Sequence, residues 1–140
     1  MKLAKVALKS RRKNQKKVIN PALGGQSEAS LQASFFVWLF YSYREIYDLT
    51  FAIPNGGTRN AREGAALKRQ GVKRGVADIF MAYTSCGYSG LFIEFKVKKN
   101  KLTPEQTNFK KLVEEQRYCH VVCYNLDEAG TAVIKYFKGD

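Results

Sequence analysis

Gly75-Val76-Ala77-Asp78-Ile79-Phe80-Met81-Ala82-Tyr83, a turn, and Leu91-Phe92-Ile93-Glu94-Phe95-Lys96 decide the reading of this chain. Both segments are dense in large apolar side chains and read as short strands buried on two faces. Thr84 to Gly90 supplies turn residues between them. A hairpin centred on Gly87 places Asp78 opposite Lys96, and strand alternation puts Glu94 on the same face as Lys96. Two carboxylates and one ammonium then converge where each charge alone would be costly to bury.

Paired carboxylates make an oxygen-ligand site for a hard divalent cation such as Mg²⁺, which keeps several waters. A lysine beside them suits orienting or activating an attacking water and offsetting charge on a phosphodiester. Asp, a spacer, then Glu-x-Lys is the pattern of the PD-(D/E)xK nucleases. The triplet alone reads equally well as a salt-bridged structural hairpin.

The chain has 140 residues and a net charge of +12, unevenly spread. Residues 1 to 27 hold eight Lys/Arg and no acid, so +8 lies there and +4 in the remainder. A polyanionic partner is expected. No stretch has the length of a membrane span and the start is broken by lysines, so no membrane association and a cytoplasmic location are expected. Cys86, Cys119 and Cys123 lie in or beside apolar runs, as reduced core thiols do. A zinc site at Cys119-His120 and Cys123 lacks a fourth ligand at finger-like spacing.

Residues 1–25 form a basic arm, expected to be flexible and to add salt-sensitive phosphate contacts or simply solubility. Residues 26–140 form the folded domain. Ser27 N-caps an aromatic helix in which Leu31, Phe35, Trp38, Leu39 and Ser42 follow at helical spacing, and which is expected to be largely buried. Glu28 opens that stripe, although a first-turn acid is also favoured by the helix dipole. Phe51 to Pro54 reads as a strand, Thr58 to Gln70 as a helix, Cys119 to Tyr124 as a strand and Asp127 to Phe137 as a final helix. Arg59, Arg62, Lys68, Arg69, Lys73 and Arg74 oppose one acid, Glu63, just before Asp78, and form a candidate phosphate-binding rim. Thr103-Pro104-Glu105-Gln106 is a helix start with Thr103 as cap and Gln106 closing the capping box.

Several of these segments, in order, carry a resemblance. Glu28-Ala29-Ser30-Leu31-Gln32, Ile53-Pro54-Asn55-Gly56-Gly57-Thr58-Arg59, Lys68 to Asp78, Gly90 to Lys96 and Leu102 to Gln106 resemble the virus-type replication-repair nuclease (VRR-NUC) family. The resemblance implies an α/β restriction-endonuclease-like PD-(D/E)xK core, with a mixed central sheet flanked by helices. It implies Mg²⁺ or Mn²⁺ as cofactor and no small-molecule cofactor. By position it makes Asp78, Glu94 and Glu28 metal ligands, Lys96 the catalytic lysine and Gln106 a polar residue at the site's edge. Ala77 stands where a proline often precedes the aspartate.

Short stand-alone members of phages and bacteria act as homodimers on four-way DNA junctions, which makes a Holliday-junction endonuclease of replication and repair the expected function. A flap nuclease, a sequence-specific restriction enzyme and a non-catalytic DNA-binding module are the alternatives. The aromatic run Phe35 to Tyr41 has more apolar residues than one core-facing stripe needs, and is the expected dimer contact.

Overall fold

The computed structural model describes residues 26–55 and 60–139. Helix α1 (Glu28–Ser42) starts where Ser27 and Ser30 each bond the other's backbone N–H. Leu31, Phe35 and Leu39, spaced by four, are its fully buried stripe. A short helix, α2 (Arg44–Tyr47), follows, and the sequence reading missed it. Thr50 fixes the turn into the sheet by donating its hydroxyl to the Ile46 carbonyl.

The sheet has four strands in the order β1 (Thr50–Ala52), β2 (Ile79–Met81), β3 (Leu91–Phe95) and β4 (Cys119–Cys123). The first three are antiparallel and β4 is parallel to β3, giving the mixed sheet and α/β class expected. Between them lie α3 (Ala61–Arg69), after β1, and α4 (Pro104–Glu115), which makes the crossover from β3 to β4. Helix α5 (Leu126–Lys138) closes the chain.

One sheet face carries Ile79, Met81, Leu91, Ile93, Phe95 and Cys123, and packs beneath α1 and α5. Phe35 meets Phe95 edge-on at 5.7 Å, and Trp38 lies over Gly130 of α5. The opposite face presents Phe80, Phe92 and His120 to α4, with Phe92 and Phe109 at 5.2 Å. Burial, and then the nearby Lys110 ammonium, push His120 down to about 4, so it sits there as a neutral ring.

The hairpin register corrects the sequence reading. Ile79 pairs with Ile93, so continuing the ladder brings Asp78 opposite Glu94, not Lys96. The cause is the tip: Cys86 and Gly87 both have positive φ, at 55° and 80°, between the paired Ser85 and Tyr88. That is the backbone of a two-residue hairpin turn with the right twist. Three residues, 82–84, then face only two, 89 and 90, so the two arms are unequal. Cys86 is exposed at this tip, which corrects its reading as a core thiol; Cys123 is buried and Cys119 half-buried.

Candidate active site

Asp78 stands at the entrance to β2 and Glu94 near the end of β3, on the α4 side of the sheet. Their placement follows from strand alternation, which also brings Lys96 to that side two residues on. Lys96 is kept in the sheet by its backbone N–H, which donates to the Cys123 carbonyl at 3.0 Å. Glu94 is 2% exposed and Lys96 7%, with Lys96 Nζ 3.6 Å from Glu94 Oε1.

Each carboxylate has one oxygen held by the protein. Asp78 Oδ2 accepts the Phe95 N–H at 2.7 Å, and Glu94 Oε1 accepts from Gln106 Nε2 at 2.5 Å. Among the described residues nothing donates to Asp78 Oδ1 or Glu94 Oε2, so each group offers one free oxygen. Gln106 acts with both ends of its amide. Its oxygen accepts from Thr103 N in the predicted capping box, and its nitrogen holds Glu94. Gln106 and Phe109, one turn apart on α4, thus meet Glu94 and Phe92, two residues apart on β3.

The electrostatics are those of a crowded anionic site. Burial first, then the Asp78 charge, raises Glu94 to about 7, against the opposing pull of Lys96. Asp78 is raised as well, mainly by burial, with the Phe95 hydrogen bond opposing and Glu28 adding repulsion. Glu28 is half-buried at the start of α1 and acts on both carboxylates. Among the described residues no three His, Cys, Asp or Glu side chains close on one point. Asp78 and Glu94 face each other where the β2–β3 ladder continues, and Glu28 adds its charge to both from the start of α1. Cys119, His120 and Cys123 likewise form no such group.

Arg62, Lys68, Arg69, Lys73 and Arg74 are all exposed, on α3 and the turn leading to Asp78. Arg59 and the basic arm of residues 1–25 lie outside the described residues. Gly75, at φ +86°, lies so close to the start of α4 that a Cβ would fall 2.5 Å from the Glu105 carbonyl carbon. Only glycine combines that φ with that approach. The sequence reading passed over Lys98, Lys99 and Lys101, exposed on the loop that leaves Lys96.

No family model matches the chain and no curated protein matches it. A solved structure described as a VRR_NUC domain protein does, with a TM-score of 0.72 and 28% identity. The match covers 83% of this chain and 92% of the other. The likeness supports a place among the VRR-NUC proteins. The VRR-NUC neighbour fits a restriction-endonuclease-like core for this sheet and its helices, and it supports a nuclease family. Among the described residues no helix is long and apolar enough to cross a membrane.

Proposed function

We propose that this VRR-NUC chain is a Mg²⁺- or Mn²⁺-dependent deoxyribonuclease that cuts branched DNA, with the four-way junction as its substrate. The observation that carries the reading is the half-buried Asp78 facing the buried Glu94, with the buried Lys96 ammonium beside Glu94, at the end of the sheet from which the basic segment emerges. A non-catalytic DNA-binding module has no use for a buried lysine beside a buried carboxylate with a second carboxylate opposite, because taking such charges out of water costs stability that surface Lys and Arg would not cost.

The donor set fits a hard divalent ion: two carboxylates, each with one oxygen held and one free, and too few ligands to displace all its water. Bound there, such an ion supplies Lewis-acid activation and charge stabilisation for phosphodiester hydrolysis. Gln106 and the Phe95 N–H fix the orientation of the two carboxylates, as partners behind metal ligands do. Lys96 contributes a positive charge beside the reacting phosphate and orients the attacking water. The exposed Arg and Lys side chains hold the phosphate backbone without reading bases.

Incubating the protein with synthetic junction, flap and duplex DNA in Mg²⁺, Mn²⁺ or EDTA tests this. Junction cutting that needs the metal is expected. Flap cutting with an untouched junction would move the chain to the flap-type activity, and discrete bands from linear duplex would indicate a sequence-specific enzyme.

One domain with one carboxylate pair cuts one strand, so paired incisions need a second copy, and a two-fold dimer matches the two-fold character of a junction. Helix α1 offers the contact: Val37 and Tyr41 are 58% and 78% exposed on its outer side, next to Phe40. Phe40 is itself packed by Tyr47 and covered by the Arg44 guanidinium at 4.2 Å. Val37→Asp with Tyr41→Asp should give a monomer mass by light scattering at micromolar concentration and convert paired junction incisions to single nicks. Paired incisions by a monomeric double variant would place the contact elsewhere or remove the need for it.

A further inference from the structure

Lys96 does not end the basic character of its strand. Residues 95–104 contain Lys96, Lys98, Lys99 and Lys101 and no acid, and the last three are exposed. This loop is built into the site at both ends. It leaves β3 directly from Lys96, and it enters α4 at Thr103, whose N–H bonds the same Gln106 that holds Glu94. Between these ends Asn100 N–H donates to the Val97 carbonyl, and the Tyr124 hydroxyl donates to the Asn100 carbonyl at 2.9 Å. Lys98 has φ +56°, a conformation a lysine adopts only when its surroundings impose it.

Because β2 and β3 are antiparallel, the chain arriving at Asp78 and the chain departing from Lys96 emerge at the same end of the sheet. Gly75 rests on the Glu105 and Gln106 backbone, so Lys73 and Arg74 sit beside the α4 start into which the lysine loop runs. Two cationic segments therefore flank the carboxylate pair, one entering it and one leaving it. A phosphate backbone crossing the site would meet both.

We propose that Lys98, Lys99 and Lys101 form a second phosphate-binding rim, which holds the DNA backbone at the same end of the sheet as Lys73 and Arg74. The inference rests on the nuclease reading and adds a group of DNA contacts to it. These lysines are binding residues, since they lie outside the carboxylate pair.

The test is the triple variant Lys98→Gln, Lys99→Gln, Lys101→Gln, measured by anisotropy on a fluorescein-labelled junction in EDTA between about 50 and about 200 mM KCl. The slope of log affinity against log salt should fall by about 2 to 3, and affinity near 100 mM by about tenfold or more. In Mg²⁺, kcat/KM should fall with the affinity. Lys135→Gln with Lys138→Gln, on the exposed side of α5, should keep the wild-type slope. A triple variant with the wild-type slope, in a protein that cuts DNA, overturns the inference and leaves the nuclease reading standing. Wild-type protein that cuts no substrate in either metal overturns both.

Discussion

Glu94→Gln is expected to lower metal-dependent cleavage by at least about 10³-fold while making the metal-free protein more stable above neutral pH. The two effects have one cause. Glu94 is raised from about 4.5 to about 7, burial first and the Asp78 charge second, so its ionised form is disfavoured in the folded state. The folded protein therefore binds more protons than the unfolded chain between these two values. Stability attributable to Glu94 is fully present below about pH 4.5 and is lost as pH rises to about 7. At about pH 8 the loss is on the order of 3 kcal/mol, and Asp78 adds to it in the same direction.

Glutamine keeps the shape and can still accept from Gln106, but it carries no charge, so the pH-dependent loss should shrink. Thermal melts in EDTA at about pH 5 and about pH 8 check this: the variant's melting temperature should change less between them than the wild type's. In the wild type, cleavage should rise with pH as the carboxylate needed for the metal loses its proton, and a bound cation should move that rise below about 7. A Glu94→Gln protein that cuts at the wild-type rate would remove Glu94 from the chemistry. One that cuts poorly and also melts lower at about pH 8 would make the carboxylate a structural group.

How much of this site was legible in the sequence depended on the kind of signal. Asp78, Glu94 and Lys96 stood out because charges inside apolar strands need a reason. Their mutual placement did not, because the register turns on two backbone features the sequence does not announce. One is the positive φ of Cys86 beside Gly87; the other is the three-against-two imbalance of the hairpin arms. The helix start at Thr103 was plain from Thr-Pro-x-Gln, yet the capping box alone cannot say that the other end of the Gln106 amide reaches Glu94.

Helix α1 reads as largely buried, but only Leu31, Phe35 and Leu39 of its stripe are buried, and its surplus apolar residues emerge as exposed Val37 and Tyr41. Helix α2 was missed because its four residues follow Tyr43, which offers no side-chain cap. The lysine loop was missed for another reason. Its charge was visible, but only the antiparallel pairing shows that it leaves the sheet on the side where the basic segment before Asp78 arrives.

Gly75→Ala should be the most disruptive of the glycine-to-alanine changes among the described residues. Two penalties coincide there. Gly75 has φ +86°, which an L side chain rarely adopts, and its added Cβ would lie 2.5 Å from both the carbonyl carbon and oxygen of Glu105 and 2.9 Å from Gln106 N. The obstruction is backbone at the first turn of α4, so no rotamer change relieves it, and either the segment before Asp78 or the helix start must move. The combined cost is expected to be about 3 kcal/mol or more, a fall in melting temperature of roughly 10 °C for a chain of this length.

The move also acts on the chemistry. Displacing the first turn of α4 shifts Gln106 from Glu94, so the molecules that remain folded should cut more slowly than the parent. Gly64→Ala supplies the comparison. Gly64 lies inside α3 with nothing within 4 Å of the would-be Cβ, and alanine is the better helix former. That change should raise stability by about 0.5 to 1 kcal/mol. Opposite signs for the two glycines, read by melting in the same buffer, are the expected result. A Gly75→Ala protein that melts with the parent and cuts at its rate would show that the approach of Gly75 to α4 neither holds the helix in place nor sets the position of Gln106 over the carboxylates.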